Sequence, residues 1–135
     1  MSLKFPDEQL TPHFRLYELR CPCGQCGGFP DDLAEIRKTA VWLEEVRAVL
    51  GGHRVHINSG WRCPAHNKAV GGVGGSLHLS GKAADISLRD LSPATVQKNL
   101  IAQWGPGKLI RGLGSARGYT HVDRRDGEPA KWRYT

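Results

Sequence analysis

Apolar residues recur every three or four positions along one stretch of the chain. They run through residues 31–50 as Leu33, Ile36, Ala40, Leu43, Val46 and Leu50. This spacing places them on one face of a helix. Asp31 and Asp32 suit the positive N-terminal end of such a helix, and Gly51-Gly52 predicts where it ends. We therefore predict an amphipathic helix over residues 31–50 with one buried face.

Shorter runs of apolar residues predict a small sheet. The predicted strands cover residues 54–58, 83–88, 109–113 and 119–124, and a Gly-Ser-Ala-Arg-Gly turn joins the last two. Val55 and Ile57 fall on one face of the first strand, because side chains alternate along an extended chain. Helices combined with a small, mostly antiparallel sheet predict an α+β fold in which the helices pack on the sheet.

A glycine-rich segment and a second helix complete the pattern. Residues 59–77 show no regular periodicity, and loops of this length are uncommon unless they have a function. Ser92 predicts the start of a short helix that runs to about Trp104, with Pro93 in its first turn. The length of 135 residues predicts a single domain over residues 1–135, in which residues 1–30 form a cysteine-containing lead-in.

The net charge of +6 bears on the choice of partner. A basic chain is attracted to polyanions such as nucleic acid or an anionic cell wall. The tightest basic clusters are only Arg124-Arg125 and the pair Lys131 and Arg133. The chain has no basic helix and no interleaving of basic and aromatic residues of the kind that nucleic-acid modules show. We therefore predict no specific binding to nucleic acid.

The apolar runs also bear on location. None approaches the roughly 20 residues that a membrane-spanning helix requires. The first ten residues, MSLKFPDEQL, lack the apolar core of a secretory signal. We expect synthesis in the cytoplasm without a signal peptide and no membrane span.

Three residues are candidate metal ligands. His78 lies just before a predicted strand, Asp85 lies at the start of that strand, and His121 lies in a later strand. Zinc is commonly held by imidazoles and carboxylates, and three protein ligands leave a position open for catalysis. Each residue alone also has a local interpretation: a turn cap for His78, a strand-entry residue for Asp85 and a half-buried core histidine for His121.

Three motifs in order give these residues a context. Ser59-Gly60-Trp61-Arg62-Cys63-Pro64-x-His66-Asn67 comes first, Ser76-x-His78-x-x-Gly81-x-Ala83-x-Asp85 follows, and Thr120-His121-Val122-Asp123 comes last. Together they resemble the signatures of the zinc D-alanyl-D-alanine carboxypeptidase family (peptidase family M15). The greatest similarity is to its short subgroup encoded in phages and prophages. The family shares its fold with the signalling domain of Hedgehog proteins.

The resemblance implies a role for each matching residue. His78, Asp85 and His121 fall on the zinc ligands. Arg62 falls on the arginine that binds the substrate carboxylate or polarises the scissile carbonyl, a task that suits a permanently charged fork of donors. Ser59 is placed to bind the peptide backbone. The implied reaction is hydrolysis of peptidoglycan stem peptides next to D-amino acids, of the D,D-carboxypeptidase or endopeptidase type, by a monomer.

The chain departs from the family pattern at the general base. Well-known members carry Glu or His two or three residues before the last zinc ligand, where this chain has Tyr119 and Gly118. Glycine cannot accept a proton, and tyrosine is a poor base unless its pKa is strongly depressed. Asp123, which can alternatively orient a ligand, is the first candidate for a catalytic base, and His66 is the second.

This departure leaves a second function open. The chain is either a peptidase or a non-catalytic, zinc-containing module that binds the cell wall or takes part in phage tail assembly. In both cases we expect it to act at the cell wall or periplasm, or as part of a phage particle.

The cysteines form a separate pattern. Cys21-x-Cys23-x-x-Cys26 lies in the lead-in, and Cys63 is the obvious fourth partner. Three states remain open, which we rank as free or partly paired thiols, a disulfide to Cys63, and a second metal site. Structural zinc sites often contain two C-x-x-C pairs, whereas this chain has one.

Overall fold

A sheet with helices on one face organises the chain, as expected for an α+β protein. The computed structural model describes residues 2–134, so Met1 and Thr135, the ends of the predicted domain, lie outside the described residues. In chain order the elements are β1 (Gln9–Thr11), β2 (Phe14–Arg15), a 3-10 helix (Leu16–Leu19), α1 (Ala34–Val49), β3 (His56–Ser59), α2 (Pro64–Ala69), β4 (Ala83–Ser87), α3 (Pro93–Ile101), β5 (Gly112–Ser115), β6 (Thr120–Asp123) and β7 (Ala130–Arg133).

The five-stranded sheet has the order β3-β4-β6-β5-β7, and β1 and β2 form a separate hairpin. All neighbours in the larger sheet are antiparallel except β5 and β7, which are parallel. The sheet is therefore mixed, with an antiparallel majority. The α+β fold class predicted from the sequence is confirmed.

The two faces of the sheet differ in polarity. Ala84, Ile86 and Val122 point into the hydrophobic core, together with the buried faces of α1 and α3. Because side chains alternate along a strand, Asp85 and His121 point to the opposite face. The functional candidates are thus presented on the face that α1 and α3 leave uncovered.

Both long helices lie close to their predicted positions. The first begins at Ala34 rather than residue 31, and a carboxylate oxygen of Asp32 accepts the Ala34 N–H at 2.8 Å. The second begins at Pro93, where the Ser92 side chain accepts the Thr95 N–H as an N-cap, and ends at Ile101 rather than Trp104. The short polar side chains of Asp32 and Ser92 thus mark the helix starts more closely than the sequence marks their ends.

Several short elements were not predicted. The segment 59–77 contains α2, a helix of six residues with Pro64 in its first turn, which is too short to show a period. The strand predicted over 109–113 is Gly112–Ser115 instead. Gly112 and Gly114 weaken the strand pattern of this segment, because glycine is uncommon in strands. Both positions require glycine, since a Cβ on Gly112 would overlap the Asp123 carboxylate and one on Gly114 would lie 2.7 Å from the Trp132 ring.

The lead-in of residues 1–30 packs on the rest of the chain. Phe14, Leu16 and Phe29 are fully buried in the common core. The N–H of Trp61 donates to the carbonyl of Leu19 at 2.9 Å, which joins the lead-in to the loop after β3. Among the described residues, no helix has the length and apolar character needed to cross a bilayer.

Candidate metal centre

The three candidate ligands converge on one point. Nε2 of His78 lies 3.2 Å from Oδ1 of Asp85, and Nδ1 of His121 lies 3.0 Å from the same oxygen. All three residues are buried. The sheet brings two of them together, because Asp85 of β4 and His121 of β6 are directly paired, while a turn before β4 supplies His78.

One row of residues crosses the whole sheet at this level. Its members, paired from strand to strand, are Ser59, Asp85, His121, Gly114 and Trp132. The glycine in the row lets the Trp132 ring reach over it to His121, with ring centroids 5.0 Å apart. The register of the strands therefore builds the floor and one wall of the site.

Each imidazole is also held on its far side. Nδ1 of His78 lies 2.7 Å from the carbonyl oxygen of Gly60, and Nε2 of His121 lies 2.7 Å from Oδ2 of Asp123. These oxygens only accept, so the far nitrogen of each ring carries the proton. In a neutral imidazole the near nitrogen then presents a lone pair to Asp85. Outer partners of this kind are typical of histidines that bind metals.

The charge of Asp85 completes a donor set that fits a cation. Burial raises the pKa of its carboxyl, but His121 and His78 outweigh burial and hold that pKa well below its usual range. Two lone pairs and a carboxylate thus face one another, an arrangement that a cation stabilises. The N···O separations of 3.0 and 3.2 Å approach the roughly 3.3 Å edge of a tetrahedron with zinc bonds of about 2.0 Å.

His121 is coupled to two carboxylates. Burial lowers the pKa of its imidazole, but the hydrogen bonds to Asp123 and Asp85 outweigh burial and raise that pKa above 6.5. A proton and a metal therefore compete for the same nitrogen.

A cavity of about 600 Å³ lies over the centre. Its walls come from the loop between α2 and β4 and from the last two strands, and it is lined by Arg62, Val70, Gly71, Gly72, Val73, Gly75, Ser76, Leu77, His78, Tyr119, His121, Arg125, Ala130, Trp132 and Tyr134. Both candidate histidine ligands belong to this lining. A metal held between them would therefore be within reach of a bound peptide.

Arg62 is fixed beside the centre. Its guanidinium donates to Oγ of Ser59 at 3.2 Å, to Oδ1 of Asn67 at 3.2 Å and to Oδ2 of Asp85 at 3.3 Å. Its side chain is 14% exposed and lines the cavity. A guanidinium has five N–H donors, so these contacts leave others for a ligand in the cavity. Ser59 contacts Arg62 and lies outside the cavity lining.

Asp123 lies behind His121. It is fully buried and accepts hydrogen bonds from Nε2 of His121 and from Nε and Nη2 of Arg125, at 2.7, 2.9 and 2.7 Å. Burial raises the pKa of this carboxyl, but Arg125 and His121 outweigh burial and lower it to about 2. The two ring nitrogens of His121 point in different directions, so Asp123 is placed to orient this ring.

The other candidate bases are less directly placed. His66 lies on α2, where its backbone N–H donates to Sγ of Cys63, and it is not among the described residues that line the cavity. Tyr119 lines the cavity, where burial and the Asp85 charge raise the pKa of its phenol. This phenol is protonated at neutral pH and is equipped to donate a hydrogen bond.

Sequence reasoning missed the cavity wall formed by β7 and the residue after it. Trp132 packs on His121, and the guanidinium of Arg125 lies over the Trp132 ring at 5.3 Å. Tyr134 packs on Trp132 and Tyr119, with ring centroids 6.1 and 5.7 Å apart. The alternation of basic and aromatic residues from Lys131 to Tyr134 was the available signal for a strand.

A comparison with protein families gives a match that covers most of the chain. A family model described as Peptidase M15 matches residues 12–123, a range that contains every candidate ligand and Arg62. No curated protein sequence matches the chain significantly.

Proposed function

The chain belongs to the M15 peptidases, a family of metallopeptidases, and from that premise we propose that it is a zinc enzyme of peptidoglycan. The proposed reaction is hydrolysis of a stem-peptide bond next to a D-amino acid, of the D,D-carboxypeptidase or endopeptidase type. The observation that carries the proposal is the convergence of His78, Asp85 and His121 below a cavity, with an outer acceptor fixing each imidazole.

The proposed division of labour follows from the contacts. His78, Asp85 and His121 would hold the metal. Bound zinc supplies polarisation of a carbonyl and lowers the pKa of water to about 7. In the neutral rings, Asp123 holds the proton on the far nitrogen of His121, and the Gly60 carbonyl does the same for His78.

Arg62 is the proposed substrate-binding group. Ser59, Asn67 and Asp85 hold its guanidinium in place, so little side-chain freedom is left to lose when a peptide binds. Its free N–H donors suit the carbonyl oxygen of the scissile bond or the terminal carboxylate of a stem peptide. Tyr119, whose phenol is protonated, supplies a second donor among the residues that line the cavity.

The shortage of candidate general bases around the cavity favours slow turnover. Among the described residues that line the cavity, none is Asp or Glu, and Asp123 is already committed to His121 and Arg125. A positioned general base contributes about 10²–10⁴-fold to such reactions. We expect hydrolysis to be slower than in relatives with a carboxylate base by a factor of this order.

The same observation favours a second candidate function. A centre that binds metal and peptide but lacks a base in the cavity suits a non-catalytic module for the cell wall or a phage tail. The net charge of +6 supports either function at an anionic wall, because it attracts the chain to that surface. The proposed site of action is the cell wall, the periplasm or a phage particle.

A cleavage assay with metal analysis tests the proposal. The zinc-loaded protein is incubated with a synthetic stem pentapeptide that contains both L-Ala-D-Glu and D-Ala-D-Ala bonds, and mass spectrometry identifies the product. We expect one bond to be cut by the native chain and by His53→Ala, whose imidazole lies 3.6 Å from exposed Asp90. His78→Ala should lose both cleavage and the metal of this centre.

The two functions give different results in this assay. Zinc bound at the centre, peptide bound in calorimetry and no product after prolonged incubation would replace the peptidase with the binding module. A folded native chain without divalent metal at His78, Asp85 and His121 would overturn both.

A further inference from the structure

We propose that Cys21, Cys23, Cys26 and Cys63 hold a second zinc ion, which is structural and distinct from the peptidase centre. The four sulfurs all lie within 4.8 Å of one another, although Cys63 is 37 residues beyond Cys26. Among the described residues these are the only cysteines, and none forms a disulfide. The proposed function assigns no task to this cluster.

The spacing of the sulfurs matches a tetrathiolate site. Sγ of Cys63 lies 3.8 Å from Sγ of Cys21 and 3.8 Å from Sγ of Cys23. Sγ of Cys23 lies 3.4 Å from Sγ of Cys26. A tetrahedron with zinc–sulfur bonds of about 2.3 Å has edges of about 3.8 Å, whereas disulfide sulfurs lie about 2.05 Å apart. The cluster has the dimensions of a metal site and not of two disulfides.

Backbone groups support negative charge on the sulfurs. Sγ of Cys23 accepts the N–H of Gln25 at 3.4 Å, and Sγ of Cys26 accepts the N–H of Gly28 at 3.3 Å. On the other side of the cluster, Sγ of Cys63 accepts the N–H of His66 at 3.3 Å as the N-cap of α2. Zinc binds thiolates, and binding would release the thiol protons to solvent.

The completeness of the cluster indicates a structural role. Four protein sulfurs fill a tetrahedral zinc shell and leave no position for a substrate. Cys21 and Cys63 are buried, with 2% and 7% of their surface exposed. None of the four lines the cavity over the peptidase centre.

The position of Cys63 connects this second ion to the active site. Cys63 directly follows Arg62, and the helix that it caps carries Asn67, a hydrogen-bond partner of Arg62. The other three cysteines belong to the lead-in. A metal bound here would fasten the lead-in to the loop that positions Arg62, in addition to the hydrogen bond between Trp61 and Leu19.

Zinc counting on the full chain, purified under reducing conditions, tests this inference. We expect two zinc ions per native chain, one in Cys26→Ser and one in His78→Ala. The matched control is Gln25→Ala, which keeps the backbone N–H to Cys23 and should retain two ions. X-ray absorption at the zinc edge of His78→Ala should show sulfur neighbours alone, at about 2.3 Å.

The His78→Ala arm keeps the test decisive even if Cys26→Ser does not fold. Folded His78→Ala without zinc, or with nitrogen and oxygen neighbours around its zinc, would refute the thiolate site. An intact mass lower by two hydrogens for each of two disulfides in the unreduced native chain would refute it as well. The sulfur shell expected in His78→Ala does not depend on metal at the peptidase centre or on peptide cleavage, so failure of the peptidase proposal leaves this arm of the test unaffected.

Discussion

His121 is held at both ring nitrogens, and this double contact defines what the centre can do. Nδ1 faces Asp85 and Nε2 faces Asp123, at 3.0 and 2.7 Å. A partner on the far nitrogen orients a ligand ring and raises its basicity toward the metal. Asp123 is therefore best understood as a positioning residue.

Replacing Asp123 tests this role. Asp123→Asn keeps the size of the side chain and removes the charge that fixes the His121 tautomer. We expect metal affinity at the peptidase centre to fall about 10–100-fold in competition titrations with a chelating dye. Asp126→Asn is the matched control, because exposed Asp126 pairs with Lys82 on the surface, away from the candidate ligands. Equal metal affinities in the two variants would show that Asp123 does not support metal binding through His121.

Arg62 gives a second prediction at the level of a single residue. Lysine keeps the charge but lacks the planar fork, so it cannot reproduce contacts with Ser59, Asn67 and a ligand together. We expect Arg62→Lys to keep its metal and to lose about 10–100-fold in kcat/KM for the stem peptide, or in peptide affinity. Arg89→Lys, at an exposed arginine after β4, should match the native chain. If Arg62→Lys kept the native kcat/KM and the native peptide affinity, the substrate would bind elsewhere.

The register of the strands brings residues that are distant in the sequence together in one site. Ser59, Asp85, His121, Gly114 and Trp132 come from five strands and form one row only in the observed pairing. A shift of one residue would move each side chain to the opposite face. The parallel strand β7 is important here, because it places the Trp132 ring beside His121.

The sequence carried enough information for some elements and not for others. The helix around Leu43 and the strand around Asp85 were predicted because their apolar residues repeat regularly. The strand β5 was displaced because Gly112 and Gly114, required by close approach, weaken the pattern of a strand. The candidate ligand residues could be chosen from ordered motifs, whereas the hydrogen bond from Arg125 to Asp123 depends on side-chain contacts that no spacing reveals.

The loop after β3 offers a test at the level of an element. A Cβ on Gly60 would lie 2.6 Å from the backbone of Leu19, so the loop and the lead-in would have to separate. We expect Gly60→Ala to lower the free energy of unfolding by about 1–3 kcal/mol in urea titrations. Gly74→Ala has open space around its Cβ and should change it by no more than about 1 kcal/mol. Equal stability would show that this contact is not required.

On the scale of the whole molecule, the two proposed ions tie together segments that are far apart in the chain. The peptidase centre joins the turn at His78 to β4 and β6, and the cysteine cluster joins the lead-in to the start of α2. A ligand that binds only the folded chain stabilises it by RT ln(1 + [L]/Kd). Folding stability should therefore depend on zinc at both places.

Thermal unfolding with controlled zinc separates the two contributions. Free zinc at about 100 times Kd adds about 2.7 kcal/mol per site, which corresponds to an increase in Tm on the order of 10 °C for a chain of this size. We expect the increase on going from chelator to zinc to be largest for the native chain and smaller for His78→Ala, which keeps only the cysteine cluster. His53→Ala should behave as native. A zinc-dependent increase that is the same in His78→Ala and native would mean that the peptidase centre contributes no metal-linked stability. If His78→Ala showed no increase at all, the cysteine cluster would not bind the ion that its geometry accommodates.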